Sequence, residues 1–138
     1  MGLDQWVIAK AHGAEAEEIG YWRKHPDLHG WMENLWDCKR AAAGNPRTFD
    51  LEALSDYWCG GPRAGEVEMF NGVHLPLSEQ DILSCMEAIR EAQLPYTEGF
   101  FFGESEDGEE QRQEDLEIME RCLEAVRQGK EVFYDSSW

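Results

Sequence analysis

Basic side chains are scarce in this sequence: 12 lysines and arginines stand against 29 aspartates and glutamates, and the formal net charge is −17. Nucleic acids and anionic membrane surfaces are negative, and proteins that bind them normally present a basic surface. The charge balance therefore argues against both as partners. Three explanations of the negative charge remain: it keeps the protein soluble, it binds a partner with a basic surface, or it mimics the charge of a nucleic acid.

The chain also lacks long hydrophobic runs and paired cysteines. No stretch approaches the roughly 18 apolar residues that suggest a membrane span, and the first residues are not typical of a signal peptide. The four cysteines, Cys38, Cys59, Cys85 and Cys122, form no C-x-x-C pair. We therefore expect no disulfides and a cytoplasmic location.

Familiar catalytic and cofactor motifs are missing as well. The sequence has no G-x-S-x-G, no P-loop and no G-x-G-x-x-G. His25 and His29 have the spacing at which two imidazoles can share a metal on one helix face, but Pro26 lies between them. A nucleophilic pair of Cys38 and His29 stays open, without an orienting third group. We predict no catalytic residue, metal or cofactor, which favours a binding protein over an enzyme.

What is present is a pattern of a folded domain, with 42% hydrophobic residues and six tryptophans. Strands are predicted at 4–11, at 99–103 and at 131–134, and Asn71-Gly72 predicts a hairpin between 66–70 and 73–75. Residues 43–65 are rich in glycine and proline, and we interpret them as an irregular surface excursion. The prediction is a single domain, 1–138.

Apolar residues at helical spacing predict helices over 14–24, 27–42, 78–93 and 111–128. At Pro26, either one helix ends near Lys24 and the next begins with the proline in its first turn, or a single helix is kinked. The order of elements predicts a small α+β fold, with a mostly antiparallel sheet and helices packed on one face.

The best candidate for a polar site is the one locally basic segment of the chain, Arg23-Lys24-His25. An arginine can bind a carboxylate or phosphate with two hydrogen bonds and can stack on an indole ring. A pocket for an anionic small molecule or nucleotide is therefore one hypothesis, with the candidate ligand-binding residues Trp22, Arg23, Lys24, His29 and Trp31. The alternative is that both tryptophans belong to the core, Arg23 pairs with a glutamate and His29 bonds a backbone carbonyl.

The stretch 104–124 holds ten acidic residues and two arginines. It is either the solvated side of a helix and its preceding loop, or a negative surface that occupies a basic site on another protein. The second interpretation gives a set of candidate partner-binding residues: Glu106, Asp107, Glu109, Glu110, Glu114 and Glu117.

Three motifs in order resemble a widespread family of small bacteriophage and prophage proteins: Tyr21-Trp22-Arg23-Lys24 with His29-x-Trp31, Gly99-Phe100-Phe101-Phe102-Gly103, and the terminal Tyr134-x-Ser136-Ser137-Trp138. The family has no agreed biochemical activity. The resemblance implies an origin, as a phage or prophage accessory protein in the host cytoplasm, rather than a mechanism. Because such proteins often bind and block host proteins, including defence systems, we expect an inhibitor that engages a host protein through the acidic residues, and the binding of a small anionic molecule is the alternative. This chain departs from the family pattern at Pro26 and in residues 43–65.

Overall fold

A computed structural model describes residues 3–44, 69–95 and 108–138 of the chain. Within them lie four strands and three helices: β1 (Asp4–Lys10), β2 (Glu17–Arg23), α1 (Pro26–Ala42), β3 (Leu75–Leu77), α2 (Glu79–Arg90), α3 (Glu109–Arg127) and β4 (Glu131–Ser137). The chain divides into two compact units, Met1–Met32 with Asn71–Trp138, and Glu33–Phe70. The sheet, α2, α3 and the start of α1 belong to the first unit.

The strands form one sheet in the order β2-β1-β4-β3, and every neighbouring pair is antiparallel. Burial alternates along the two central strands, so that one face of the sheet forms the core: Gln5, Val7 and Ala9 of β1, and Val132, Tyr134 and Ser136 of β4. Helices α2 and α3 and the first residues of α1 lie on this buried face. The predicted α+β class and the strands at both ends of the chain are therefore confirmed, with β4 extending to Ser137.

The predicted helix over 14–24 is wrong, because residues 17–23 form the edge strand β2. The acidic residues there favour a helix only weakly, and pairing with β1 outweighs that local preference. Gly20 lies in the middle of β2, at the point where α3 crosses this strand closely. A Cβ at Gly20 would overlap Cγ2 of Ile118 on α3.

The other three helices are confirmed. Helix α1 begins at Pro26, where the missing amide hydrogen is harmless because a first-turn amide has no partner within the helix. Of the two alternatives at Pro26, the one in which a new helix begins at the proline is therefore correct. The segment before it, however, is a strand and not a helix. Helix α2 begins at Glu79, and Ser78 before it is the N-cap of a capping box, in which the Ser78 hydroxyl accepts from the amide of Asp81 and the Asp81 carboxylate accepts from that of Ser78. The predicted hairpin arm 66–68 and the strand 99–103 lie outside the described residues, and Met69 and Phe70 are not in a strand.

Helices α2 and α3 end in the same backbone motif with different residues in the left-handed position. After α3, Gly129 has φ +85°, and the amide of Lys130 donates to the carbonyl of Ala125 at 3.0 Å. After α2, Ala92 has φ +53°, and the amide of Gln93 donates to the carbonyl of Ala88 at 2.8 Å. Glycine adopts this conformation without the crowding that a Cβ introduces.

Glycine in place of Ala92 and alanine in place of Gly129 should therefore change the stability of the protein in opposite directions. We expect Ala92→Gly to raise the free energy of unfolding by about 0.5–1 kcal/mol, and Gly129→Ala to lower it by about 1 kcal/mol. Nothing lies within 4 Å of a Cβ at Gly129, so backbone conformation alone would cause that loss. Urea unfolding of both variants measures the effect, and changes of the same sign would contradict the assignment of the caps.

Candidate functional site

The polar side chains that the structure buries lie together rather than scattered through the core. Among the described residues, the buried polar or charged side chains are Gln5, His25, His29, Asp115 and Ser136. They lie on the inner face of the sheet, on α1 and α3 or, for His25, in the connection between β2 and α1, and Ser136 is the cross-strand neighbour of Gln5. Burying polar groups is costly unless they are hydrogen-bonded, so such a concentration marks a specific structural or functional feature.

Asp115 of α3 is the centre of this buried polar network. Its Oδ1 accepts from the indole Nε1 of Trp22 at 2.7 Å and from Nε2 of Gln111 at 2.8 Å. Its Oδ2 lies 2.8 Å from Nε2 of His25. The carboxylate is only 1% exposed, so these neighbours replace the water that it loses on folding. They also fix the positions of the Trp22 and His25 rings.

Gln5 of β1 continues the network on the other side of His25. Its amide bonds the backbone of His25 reciprocally, accepting from the amide nitrogen at 2.9 Å and donating to the carbonyl at 3.1 Å. It also donates to the hydroxyl of Tyr134 at 2.9 Å, and Nδ1 of His29 lies 2.8 Å from that hydroxyl. The start of α1 is therefore attached to both central strands of the sheet.

A pocket of about 660 Å³ opens beside this network. Residues 21–25, at the junction of β2 and α1, form one side of it, and Gln111 and Glu114 of α3 form the other. We call it the β2–α1 pocket. Trp22 and His25 therefore belong both to the network and to the pocket wall.

The backbone at Lys24 gives the pocket its shape. Strand pairing ends where Arg23 lies opposite Asp4, and the amide of Lys24 then donates to the carbonyl of Leu3 at 2.8 Å. Lys24 has φ +56°, a left-handed conformation that costs energy for a residue with a Cβ. This turn joins the strand directly to the helix that begins at Pro26, and it brings two consecutive cationic residues to the pocket.

The charges around the pocket are unevenly compensated. Arg23 and Lys24 are exposed, and in the part of the chain that the structure describes neither makes an ion pair. The neighbouring Tyr21 donates a hydrogen bond to Asp4 at 2.5 Å, and this bond raises the pKa of the Tyr21 phenol. Tyr21 is thereby a neutral polar group at the edge of the pocket.

The structure brings together three of the five residues predicted to bind a ligand, namely Trp22, Arg23 and Lys24. His29 belongs to the buried polar network but does not line the pocket, and Trp31 is half-buried on α1 away from it. Trp22 is also a core residue, as the alternative interpretation held. His29 contacts a tyrosine hydroxyl, which that interpretation did not foresee.

Sequence reasoning missed four polar members of the site: Gln5, Gln111, Asp115 and Tyr134. A signal existed for two of them. Gln5 lies in the same two-residue register as the buried Leu3, Val7 and Ala9, and Asp115 precedes the buried Ile118 and Met119 at helical spacing. A polar residue in the register of a buried face is itself an indication of a buried polar contact.

Of the six predicted partner-binding acids, Glu106 and Asp107 lie outside the described residues. The other four, Glu109, Glu110, Glu114 and Glu117, are exposed on α3. Glu114 also lines the β2–α1 pocket. The exposed acids are thus available to a partner, and one of them is shared with the pocket.

Cys85 of α2 and Cys122 of α3 are buried, and their thiols are poor nucleophiles. Burial raises the pKa of the Cys85 thiol and raises that of Cys122 to about 12. Both remain protonated near neutral pH and pack as small apolar side chains.

Comparison of the chain with protein-family models, with curated proteins and with solved structures finds no match. Among the described residues, no helix is both long enough and apolar enough to cross a bilayer.

Proposed function

We propose that this protein binds a small anionic molecule in the β2–α1 pocket. The observation that carries the proposal is the pair Arg23 and Lys24: adjacent, exposed and without an ion pair among the described residues. In a chain of net charge −17, acidic side chains that could neutralise them are abundant. Two exposed cations at a pocket, neither of them held in an ion pair, favour a site for an external anion.

The size of the pocket supports the same function. Its volume of about 660 Å³ falls within the range of small-molecule sites, roughly 300–1,000 Å³. A single ion would leave most of this space to water, whereas a metabolite of moderate size would contact both sides. The aromatic rings of Tyr21 and Trp22 add apolar surface beside the cations.

The buried polar network gives the pocket a rigid support. Asp115 holds the Trp22 indole and the His25 imidazole, while Gln5 holds the backbone of His25. The residues on either side of Arg23 and Lys24 are therefore fixed before a ligand arrives. Such preorganisation lowers the entropy lost on binding.

A titration with matched variants tests this proposal. We expect calorimetry to detect binding of a phosphate monoester, and Arg23→Gln/Lys24→Gln to weaken it by about 100-fold or more, since hydrogen bonds to charged groups contribute about 1.5–3 kcal/mol each. The control Lys10→Gln/Arg90→Gln removes two exposed charges elsewhere in the same unit. It should leave the affinity within about threefold. Absence of binding by the wild type, or equal losses in both variants, would contradict the proposal.

A second proposal keeps the acidic residues as the functional surface: a phage or prophage accessory protein that inhibits a host protein, in counter-defence, through a basic surface of its target. The exposure of Glu109, Glu110 and Glu117 on α3 favours it. Such binding should weaken steeply as ionic strength rises. Charge reversal by Glu110→Lys/Glu117→Lys should abolish it and spare the anion pocket, whereas Arg23→Gln should do the opposite.

A further inference from the structure

The two sides of the β2–α1 pocket carry complementary kinds of hydrogen-bonding groups. Arg23 and Lys24 offer donors only. On the α3 side, Glu114 presents an exposed carboxylate, and no ion pair joins it to either cation. The lining of the pocket therefore includes both cationic donors and an acidic acceptor.

Gln111 adds a second acceptor to the α3 side. Its amide nitrogen donates to Oδ1 of Asp115 at 2.8 Å, which fixes which end of the amide faces the carboxylate. The side chain makes no other hydrogen bond among the described residues, so its carbonyl oxygen keeps its capacity to accept. Gln111 is half-buried and lines the pocket. The α3 side thus offers acceptor oxygens from two residues one helical turn apart.

We infer that the ligand is a phosphate monoester that also carries free hydroxyl groups, as a sugar phosphate does. This inference rests on the proposed anion-binding function. A phosphate monoester has a charge of about −1.5 to −2 near neutral pH, which matches the two cations. Its hydroxyls donate to Glu114 and to the carbonyl oxygen of Gln111 across the pocket.

The same arrangement disfavours other small anions. A dicarboxylate offers only acceptors, so one of its charged ends would lie against Glu114 without a proton to donate. Inorganic phosphate satisfies the cationic side but is too small to reach the α3 side of a pocket of about 660 Å³. The pocket should therefore rank ribose 5-phosphate and glucose 6-phosphate above inorganic phosphate, and inorganic phosphate above succinate.

Calorimetric titration with these four probes at constant ionic strength tests the inference. We expect the wild type to bind at least one of the two sugar phosphates about tenfold or more tightly than inorganic phosphate, as a charged hydrogen bond implies. Glu114→Ala should lower the affinity for that sugar phosphate about tenfold and leave the affinity for inorganic phosphate equal or higher, because an acceptor and a repulsive charge are both removed. Glu120→Ala, which removes an exposed acid on the same helix outside the pocket, is the control and should change neither.

The outcomes separate this inference from the proposal on which it depends. Equal affinities for sugar phosphates and inorganic phosphate, or a Glu114→Ala variant that binds all anions more tightly, would overturn the inference and leave anion binding intact. If no probe binds in a manner that depends on Arg23 and Lys24, both fail together.

Discussion

Replacing Asp115 by alanine is expected to lower the free energy of unfolding by about 2–4 kcal/mol, because it leaves buried hydrogen-bonding groups without their acceptor. The substitution leaves the indole N–H of Trp22 and the ring nitrogen of His25 facing a cavity instead of an acceptor. Both groups are buried, so water cannot replace the carboxylate without a rearrangement of the pocket wall. A domain of this size has a stability of about 5–15 kcal/mol, so the loss would be a large part of the total.

Urea unfolding followed by tryptophan fluorescence measures this effect. Glu114→Ala on the same helix is the matched control: that side chain is exposed, and its loss should change stability by no more than about 0.5 kcal/mol. Asp115→Asn keeps the shape of the side chain and one acceptor oxygen, so its stability should fall between those of wild type and alanine. If Asp115→Ala were as stable as Glu114→Ala, the buried polar network would not be the structural support of the site.

A methyl group at Gly20 is expected to lower the free energy of unfolding by about 1–3 kcal/mol, the usual effect of overpacking a close contact. The Cβ of Gly20→Ala would overlap the side chain of Ile118, so α3 or β2 must shift. Because β2 leads directly into residues 21–25, a shift of this strand would also move one side of the β2–α1 pocket.

A double-mutant cycle isolates that contact. Ile118→Ala alone should cost about 2–5 kcal/mol, because it leaves a cavity in the core. In the double variant, the new Cβ occupies part of the space that the isoleucine left, so the combined loss should be smaller than the sum of the single losses by about 1 kcal/mol or more. Additive losses would show that Gly20 and Ile118 are not in contact.

Local sequence patterns predicted the helices well because their signals are local. The start of α2 depends on Ser78 and Asp81, and the end of α3 depends on Gly129, each within a few residues of the helix that it limits. Strand β2 depends instead on pairing with β1 and on the fit of Gly20 beneath Ile118. These are tertiary contacts that a window of neighbouring residues does not contain, so the acidic residues before Tyr21 predicted a helix there.

The site was predictable to the extent that its residues are neighbours in sequence. Trp22, Arg23 and Lys24 are consecutive, and their composition alone was enough to predict a polar site there. Asp115 is separated by about ninety positions from His25, and its place among many exposed acids concealed it. Its position in the buried register of α3, rather than its residue type, distinguishes it from Glu114.

The central claim is that the β2–α1 pocket binds a small anion, and the most direct test is to follow the tryptophan indole N–H signals by NMR during titration with ribose 5-phosphate. Trp22 lines the pocket, whereas Trp31, half-buried on α1, does not and serves as an internal reference. Tryptophan-to-phenylalanine variants assign the two signals. We expect a saturable shift of the Trp22 signal that disappears in Arg23→Gln/Lys24→Gln, with the Trp31 signal unchanged. A Trp22 signal that does not move at millimolar ligand, or that moves equally in the double variant, would contradict this claim.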